Sequence, residues 1–283
     1  MTAPIAILPP SGWLVGLLAG ALLLFGGEDA RAQGRLDAQY EATLAGIPVG
    51  KGTWTVEVSD DSFSASAQGG TAGLLKAFSG GAGSGASQGR MANGVPIANS
   101  YTATTTTSKK SETIRMVLSN GVIKESAIEP EPPVDADRIP VTDAQKKGVL
   151  DPMTGSFLRI PGNAEPMSPD VCRTANGVFD GRMRYDLRAD FKRVEIVKAE
   201  HGYHGPALVC AIYFVPIAGY IPDRPVIKYL AAQRNIEIAF VPIAGTRLLV
   251  PFRMTIPTPL GQAMLEATSF ITTAAPPRVA KTQ

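Results

Sequence analysis

The chain reads as a mainly β protein: one long, curved antiparallel sheet with a few short helices. Three observations predict this. Many short stretches alternate apolar and polar residues with a period of two. Glycine (29) and proline (23) are abundant, as turn-rich chains require. Hairpin pairs such as Asn120-Gly121 separate the alternating stretches.

Residues 1–32 stand apart. Gly12–Phe25 is an unbroken apolar run of 14, short for a membrane span of roughly 20 residues. Ala30-Arg31-Ala32 follows it with the small-x-small pattern of a signal-peptidase site, so cleavage is expected between Ala32 and Gln33. No Lys or Arg precedes the run, which leaves an uncleaved anchor as the alternative. The reading is an exported periplasmic protein with a signal peptide over 1–32, a single β domain over 33–273 and a frayed tail over 274–283.

Within the domain, Tyr40–Leu44 and Thr53–Val58 predict a hairpin. The intervening Gly46-Ile47-Pro48-Val49-Gly50-Lys51-Gly52 is one residue short of a phosphate loop and lacks its Ser or Thr, so it reads as a turn. Gly69–Gly94 is rich in Gly, Ala and Ser around an apolar island, Leu74–Phe78, read as a lip over a ligand site with Leu74 and Phe78 as its contacts. Ile114, Met116 and Leu118 alternate before Asn120-Gly121, and Val122–Ile128 returns. A proline-rich crossing occupies Glu129–Pro140, and Thr142-Asp143-Ala144-Gln145 predicts the cap of a short helix ending at Gly148.

Val178–Val197 alternates most strictly and predicts one long strand, which either bends midway near Gly181 or Ala189 or crosses a large curved sheet. Its wet face would carry Arg182, Arg184 and Arg188 with Asp180, Asp186 and Asp190 among them. Leu208–Ile217 is apolar on both faces, as in a strand covered on both sides. Pro225–Gln233 predicts a second helix, and Ile236–Ile243, Leu248–Ile256 and Glu266–Thr272 complete the strands. The hexapeptide Phe-Val-Pro-Ile-Ala-Gly occurs twice, at Phe214–Gly219 and Phe240–Gly245. With no third copy and no shared flanks, it is one turn chemistry used twice, a strand end at proline followed by a positive-φ glycine.

The charge balance excludes some functions and the cysteines suggest a compartment. With 27 basic and 25 acidic side chains the formal charge is +2, too even for a nucleic-acid partner. Cys172 and Cys210 are the two cysteines of the chain, and in an oxidising compartment they are expected to pair.

Candidate chemistry is thin. Gly85-Ala86-Ser87-Gln88-Gly89 matches a nucleophile elbow, which has meaning only between a strand and a helix. His201 and His204 flank a turn, with no acidic third ligand nearby, so no metal, cofactor or catalytic residue is assigned. The arginines offer two readings. A row of guanidinium groups at Arg182, Arg184 and Arg188 can hold an anionic headgroup, whereas alternating signs on a solvated face only neutralise one another.

The chain resembles a proteobacterial periplasmic family, domain of unknown function 3108. The likeness rests on Tyr40, Gly46 and Gly50, on Val149-Leu150-Asp151-Pro152-Met153, and on Cys172. It continues through Val178–Leu187, with its Phe-Asp-Gly-Arg core, and Gly205–Cys210. Pro216–Tyr220, Leu249–Phe252, Thr258 and Gly261 complete it. It implies a periplasmic protein with no catalytic residues to carry over. The architecture is similar to the half-barrel of periplasmic lipoprotein carriers of the Lol type. The expected function is therefore non-enzymatic: an envelope protein, at most peripheral to the membrane, that binds a lipid or amphiphile in the concave sheet. The alternative is an envelope-integrity scaffold that binds another protein or the cell wall, and a serine hydrolase is the remote third.

Overall fold

The computed structural model describes residues 33–72 and 80–274. The expected signal peptide with Ala32, the lip contacts Leu74 and Phe78, and nearly all of the expected tail lie outside these residues. No helix among the described residues is long and apolar enough to cross a membrane.

Among the described residues, fifteen strands form one sheet. The first seven run as a meander: β1 (Gly34–Leu44), β2 (Ile47–Val58), β3 (Ser62–Thr71), β4 (Gly81–Ala92), β5 (Val95–Thr107), β6 (Ser111–Ser119) and β7 (Val122–Glu129). A second run holds β8 (Leu158–Arg159), β9 (Thr174–Phe179), β10 (Arg184–Lys198), β11 (His201–Gly202) and β12 (His204–Ala218). Helix α1 (Pro225–Ala232) then precedes β13 (Ile236–Pro242), β14 (Leu248–Thr258) and β15 (Gly261–Ala274). The order is β7-β6-β5-β4-β3-β2-β1-β15-β14-β13-β12-β10-β9, so β1 and β15 join two meanders and β7 and β9 are the edges. Every pair is antiparallel except the short β11–β15 contact. The predicted class holds.

Local chemistry explains the turns. Ala45-Gly46, Asn93-Gly94 and Asn120-Gly121 each place two residues at positive φ, the backbone of a tight hairpin whose twist matches its strands. Both copies of the repeated hexapeptide end in a positive-φ glycine, Gly219 at +76° and Gly245 at +75°.

Two expectations need correction. The Val178–Val197 stretch is not one strand: β9 ends at Phe179, and a turn over Asp180–Met183 reverses the chain into β10. Gly181 has φ +95°, and the Asp180 carboxylate accepts from the backbone N–H groups of Arg182 and Met183 at 2.8 and 2.6 Å. The alternating pattern runs on through the turn, so it carries no mark of the reversal. The helix expected after Thr142 is also absent. Gln145 Oε1 accepts from both the N–H and the hydroxyl of Thr142, closing a turn that leads to a bridge between Lys147 and Val122.

That bridge matters to the architecture. The sheet is not closed into a barrel, yet residues 146–150 lie along both of its edges. On one side Ile123 N–H donates to Lys146 O and Val149 N–H to Gly121 O. On the other, Leu150 N–H donates to Gly177 O and Phe179 N–H to Leu150 O. A five-residue strap thus satisfies edge groups that would otherwise invite pairing with another chain. The Arg182 guanidinium reaches Glu112 of β6 across the same seam at 2.9 Å.

The core lies in two clusters. The larger gathers Leu36, Trp54, Val56, Phe63, Phe157, Phe252 and Phe270. The smaller surrounds the Cys172–Cys210 disulfide with Ile160, Val171, Leu208, Ile212 and Phe240. Strand β12 serves both, with Ala207 and Val209 in the first and Leu208 and Cys210 in the second, which is why it is apolar on both faces.

Candidate functional site

A cavity of about 620 Å³ lies inside the curved sheet. Its origin can be read from the register. Opposed residues of an antiparallel pair share a face. Trp54 lies opposite Ala67, and Ala67 opposite Gly85; Gly52 lies opposite Gly69, and Gly69 opposite Gly83. Trp54, Val56 and Val58 are buried on the inner face of β2, so Ala67 and the four glycines fall on that face too. Of these, Gly52, Ala67 and Gly69 line the cavity, and their small size leaves that part of its wall nearly bare. The opposite wall is bulky, with Ile238, Phe240, Met254 and Leu265 from the second meander and Leu187, Ala189 and Ile212 beside them. Pro152 and Met153, from the loop after the strap, and Leu158 of β8 cover the space from a third side. Glycine also serves packing here, because a Cβ on Gly52 would stand 2.9 Å from Gln68 O.

The lining is mostly carbon, and two of its aromatic residues carry polar groups that differ in their bonding. The Tyr40 hydroxyl donates to Pro251 O at 2.7 Å. Trp54 has no such partner. Its ring stacks on Phe157 at 5.7 Å, and its buried indole N–H meets no acceptor in the protein. A buried donor without a partner costs about 1–3 kcal/mol, and this N–H is closed off from the cavity as well as from solvent.

Beside this cavity lies a buried polar knot. Asp151, fully buried after the strap, accepts from the N–H groups of Met153 and Thr154 at 3.0 and 3.1 Å. The Thr154 hydroxyl donates to it at 2.5 Å and the Ser87 hydroxyl at 3.1 Å. Burial pushes the Asp151 carboxyl above its ordinary value, and these four hydrogen bonds oppose the shift. Asp180 is raised for the same reason, against its two backbone donors and the Arg182 charge. Ser87, the centre of the Gly-x-Ser-x-Gly match, is therefore a buried tie between β4 and the strap loop. It sits in mid-strand, so the strand-to-helix elbow is not formed. His201 and His204 are exposed, on β11 and at the start of β12.

The three arginines are not a row, and none lines the cavity. Arg182 is in the β9–β10 turn and pairs with Glu112. Arg184 opens β10, pairs with Asp186 at 2.7 Å and donates to Tyr185 O. Arg188 is exposed beside an outer hollow shared with Arg173, Asp190 and Arg234. Leu187 and Ala189 point into the cavity, and strand alternation directs Arg184 and Arg188 to the other face. The glycine-rich wall of the cavity escaped the sequence reading because a Gly-Ser strand has no apolar period. The one available signal was the glycine density over Gly69–Gly94.

No curated protein matches the chain. Among solved structures, the chain is similar to a β-barrel-like protein of domain of unknown function DUF1849 from Brucella abortus. Identity is 10% and the TM-score 0.42, over 86% of this chain and 99% of that one. A model of the protein family of unknown function DUF3108 matches residues 39–268, from the middle of β1 to the middle of β15, and so takes in both meanders, the strap and the cavity. The chain belongs to the DUF3108 family.

Proposed function

We propose that this protein is an exported, non-enzymatic envelope protein that holds an apolar or amphiphilic ligand inside its sheet. The observation that carries the reading is the carbon-lined cavity inside the sheet. Its volume falls in the roughly 300–1,000 Å³ range of small-molecule sites, which combine apolar walls with a few polar groups that orient the ligand. A lipid-like molecule with an apolar body fits that pattern. The paired cysteines agree with an oxidising compartment.

Native mass spectrometry of protein purified from its own periplasm tests this, with a co-purifying lipid-sized mass expected. Binding of an anilinonaphthalene sulfonate dye supplies a second measurement, read through Trp54 in protein cleaved after Ala32. Ala67→Phe projects a ring into the cavity and should abolish dye and lipid binding while leaving the circular dichroism unchanged. If no mass co-purifies and the dye does not bind, the scaffold reading replaces this one.

A further inference from the structure

The cavity wall holds three polar side chains that the protein leaves without a partner. Thr174 and Asn176 of β9 lie opposite Ala189 and Leu187 of β10, so they share the face that those two turn to the cavity, and both line it. Tyr101 of β5 lies opposite Ser87, on the same face as the row Trp54, Ala67, Gly85 and Ala103 two positions along. It too lines the cavity and is 8% exposed. Among the described residues, neither the Tyr101 and Thr174 hydroxyls nor the Asn176 amide takes part in a hydrogen bond. Unlike the Trp54 N–H, their polar atoms are not closed off.

Charge is missing from the same wall. Of the described residues that line the cavity, Lys51 alone is charged. Alternation from Trp54 sets it on the outer face, where it pairs with Glu41 at 3.6 Å. Burial, with Asp151 and Asp180 nearby, holds the Tyr101 phenol above its ordinary value, so it stays a neutral donor.

We propose that the cavity selects a neutral amphiphile, a lipid whose uncharged head bears hydroxyl, ester or amide groups and is held by Tyr101, Thr174 and Asn176. This rests on the cavity reading above and names the class of its ligand. Hydroxyl and amide groups both donate and accept, so together the three residues suit a head that does the same. An anionic head would enter a wall without a cation, close to the buried Asp151, and a buried ion without a partner is costly. A cationic head would meet no free carboxylate. Asp151 is surrounded by its four donors, and Asp180 by two N–H groups and the Arg182 charge.

The test is isothermal titration calorimetry of the purified protein at neutral pH with three ligands of equal chain length: monodecanoylglycerol, decanoate and decylammonium. The glycerol ester is expected to bind at least about tenfold more tightly than either ion. Tyr101→Phe and Asn176→Leu each remove one hydrogen-bonding group and nearly keep the shape of the wall. Each should weaken ester binding about fivefold, with the circular dichroism unchanged. Asn176→Lys puts a cation in the wall and should turn the preference towards decanoate. Binding of either ion as tight as that of the ester overturns the proposal. So does an ester affinity indifferent to both Tyr101→Phe and Asn176→Leu, or a preference that Asn176→Lys does not move. Binding of none of the three overturns the cavity reading itself.

Discussion

Replacing Ser87 by Ala separates a structural hydroxyl from a nucleophile, and its effect can be worked out from the polar knot. Ser87 is 2% exposed, and its hydroxyl donates to Asp151 at 3.1 Å and lies 3.2 Å from the Thr154 hydroxyl. Alanine removes one donor to a buried carboxylate, a bond worth about 1.5–3 kcal/mol. Asp151 keeps three donors, from Met153, Thr154 N–H and the Thr154 hydroxyl, so it is not left bare. The lower end, about 1.5 kcal/mol, is expected, or a fall in Tm of about 3–6 °C for a domain of this size. The loss should depend on pH. Burial holds the folded Asp151 carboxyl above its unfolded value. Its contribution is therefore most favourable below the unfolded value and declines as pH rises through the folded one. The Ser87 bond favours the ionised form, so Ser87→Ala raises the folded value further and costs most on the alkaline side of it. Urea unfolding at pH 7 and near pH 4 reads both numbers. An unchanged stability at pH 7, or a larger loss at pH 4 than at pH 7, would refute the reasoning. Loss of a cellular function with stability and ligand binding intact would revive the hydrolase.

Three further outcomes are expected. Replacing both Cys172 and Cys210 by Ala should cost about 4 kcal/mol by the chain-entropy model for a separation of 38 residues, measured by denaturant unfolding without reductant. Gly94→Ala and Gly219→Ala should differ sharply. Both glycines have positive φ, but a Cβ at Gly94 meets open space whereas at Gly219 it would stand 1.9 Å from Arg182 O. The first should cost about 1 kcal/mol and the second at least about twice that in thermal unfolding. Arg182→Gln breaks a seam pair whose side chains are 29% and 25% exposed. It should cost about 1 kcal/mol or less, an effect reduced by salt, and leave ligand binding unchanged because Arg182 is not in the cavity wall.

Much of the fold was legible because its causes are local. Asn120-Gly121 forms its hairpin whatever lies elsewhere, since two positive-φ residues suit a tight turn. Trp54, Val56 and Val58 show a buried face by their own alternation, and the two cysteines had no other partner. The turn at Asp180–Met183 was hidden because alternation reports which residues are apolar and not the direction in which the chain runs. Its cause is the Asp180 side chain folding back on two N–H groups, with Gly181 at positive φ.

The residues from Gly12 to Phe25 and the cysteine pair set the expected compartment, and period two set the class, from the sequence alone. Where the arginines point, and that a cavity exists, were decided by tertiary structure. Gly52, Gly69, Gly83 and Gly85 are scattered in the chain and mean little singly; the register of three strands places them side by side on one inner face. Strap and seam likewise exist only because residues 146–150 meet Gly121 and Gly177 at opposite ends of the sheet order. Register and edge closure are set by residues distant in sequence, so no local window contains them.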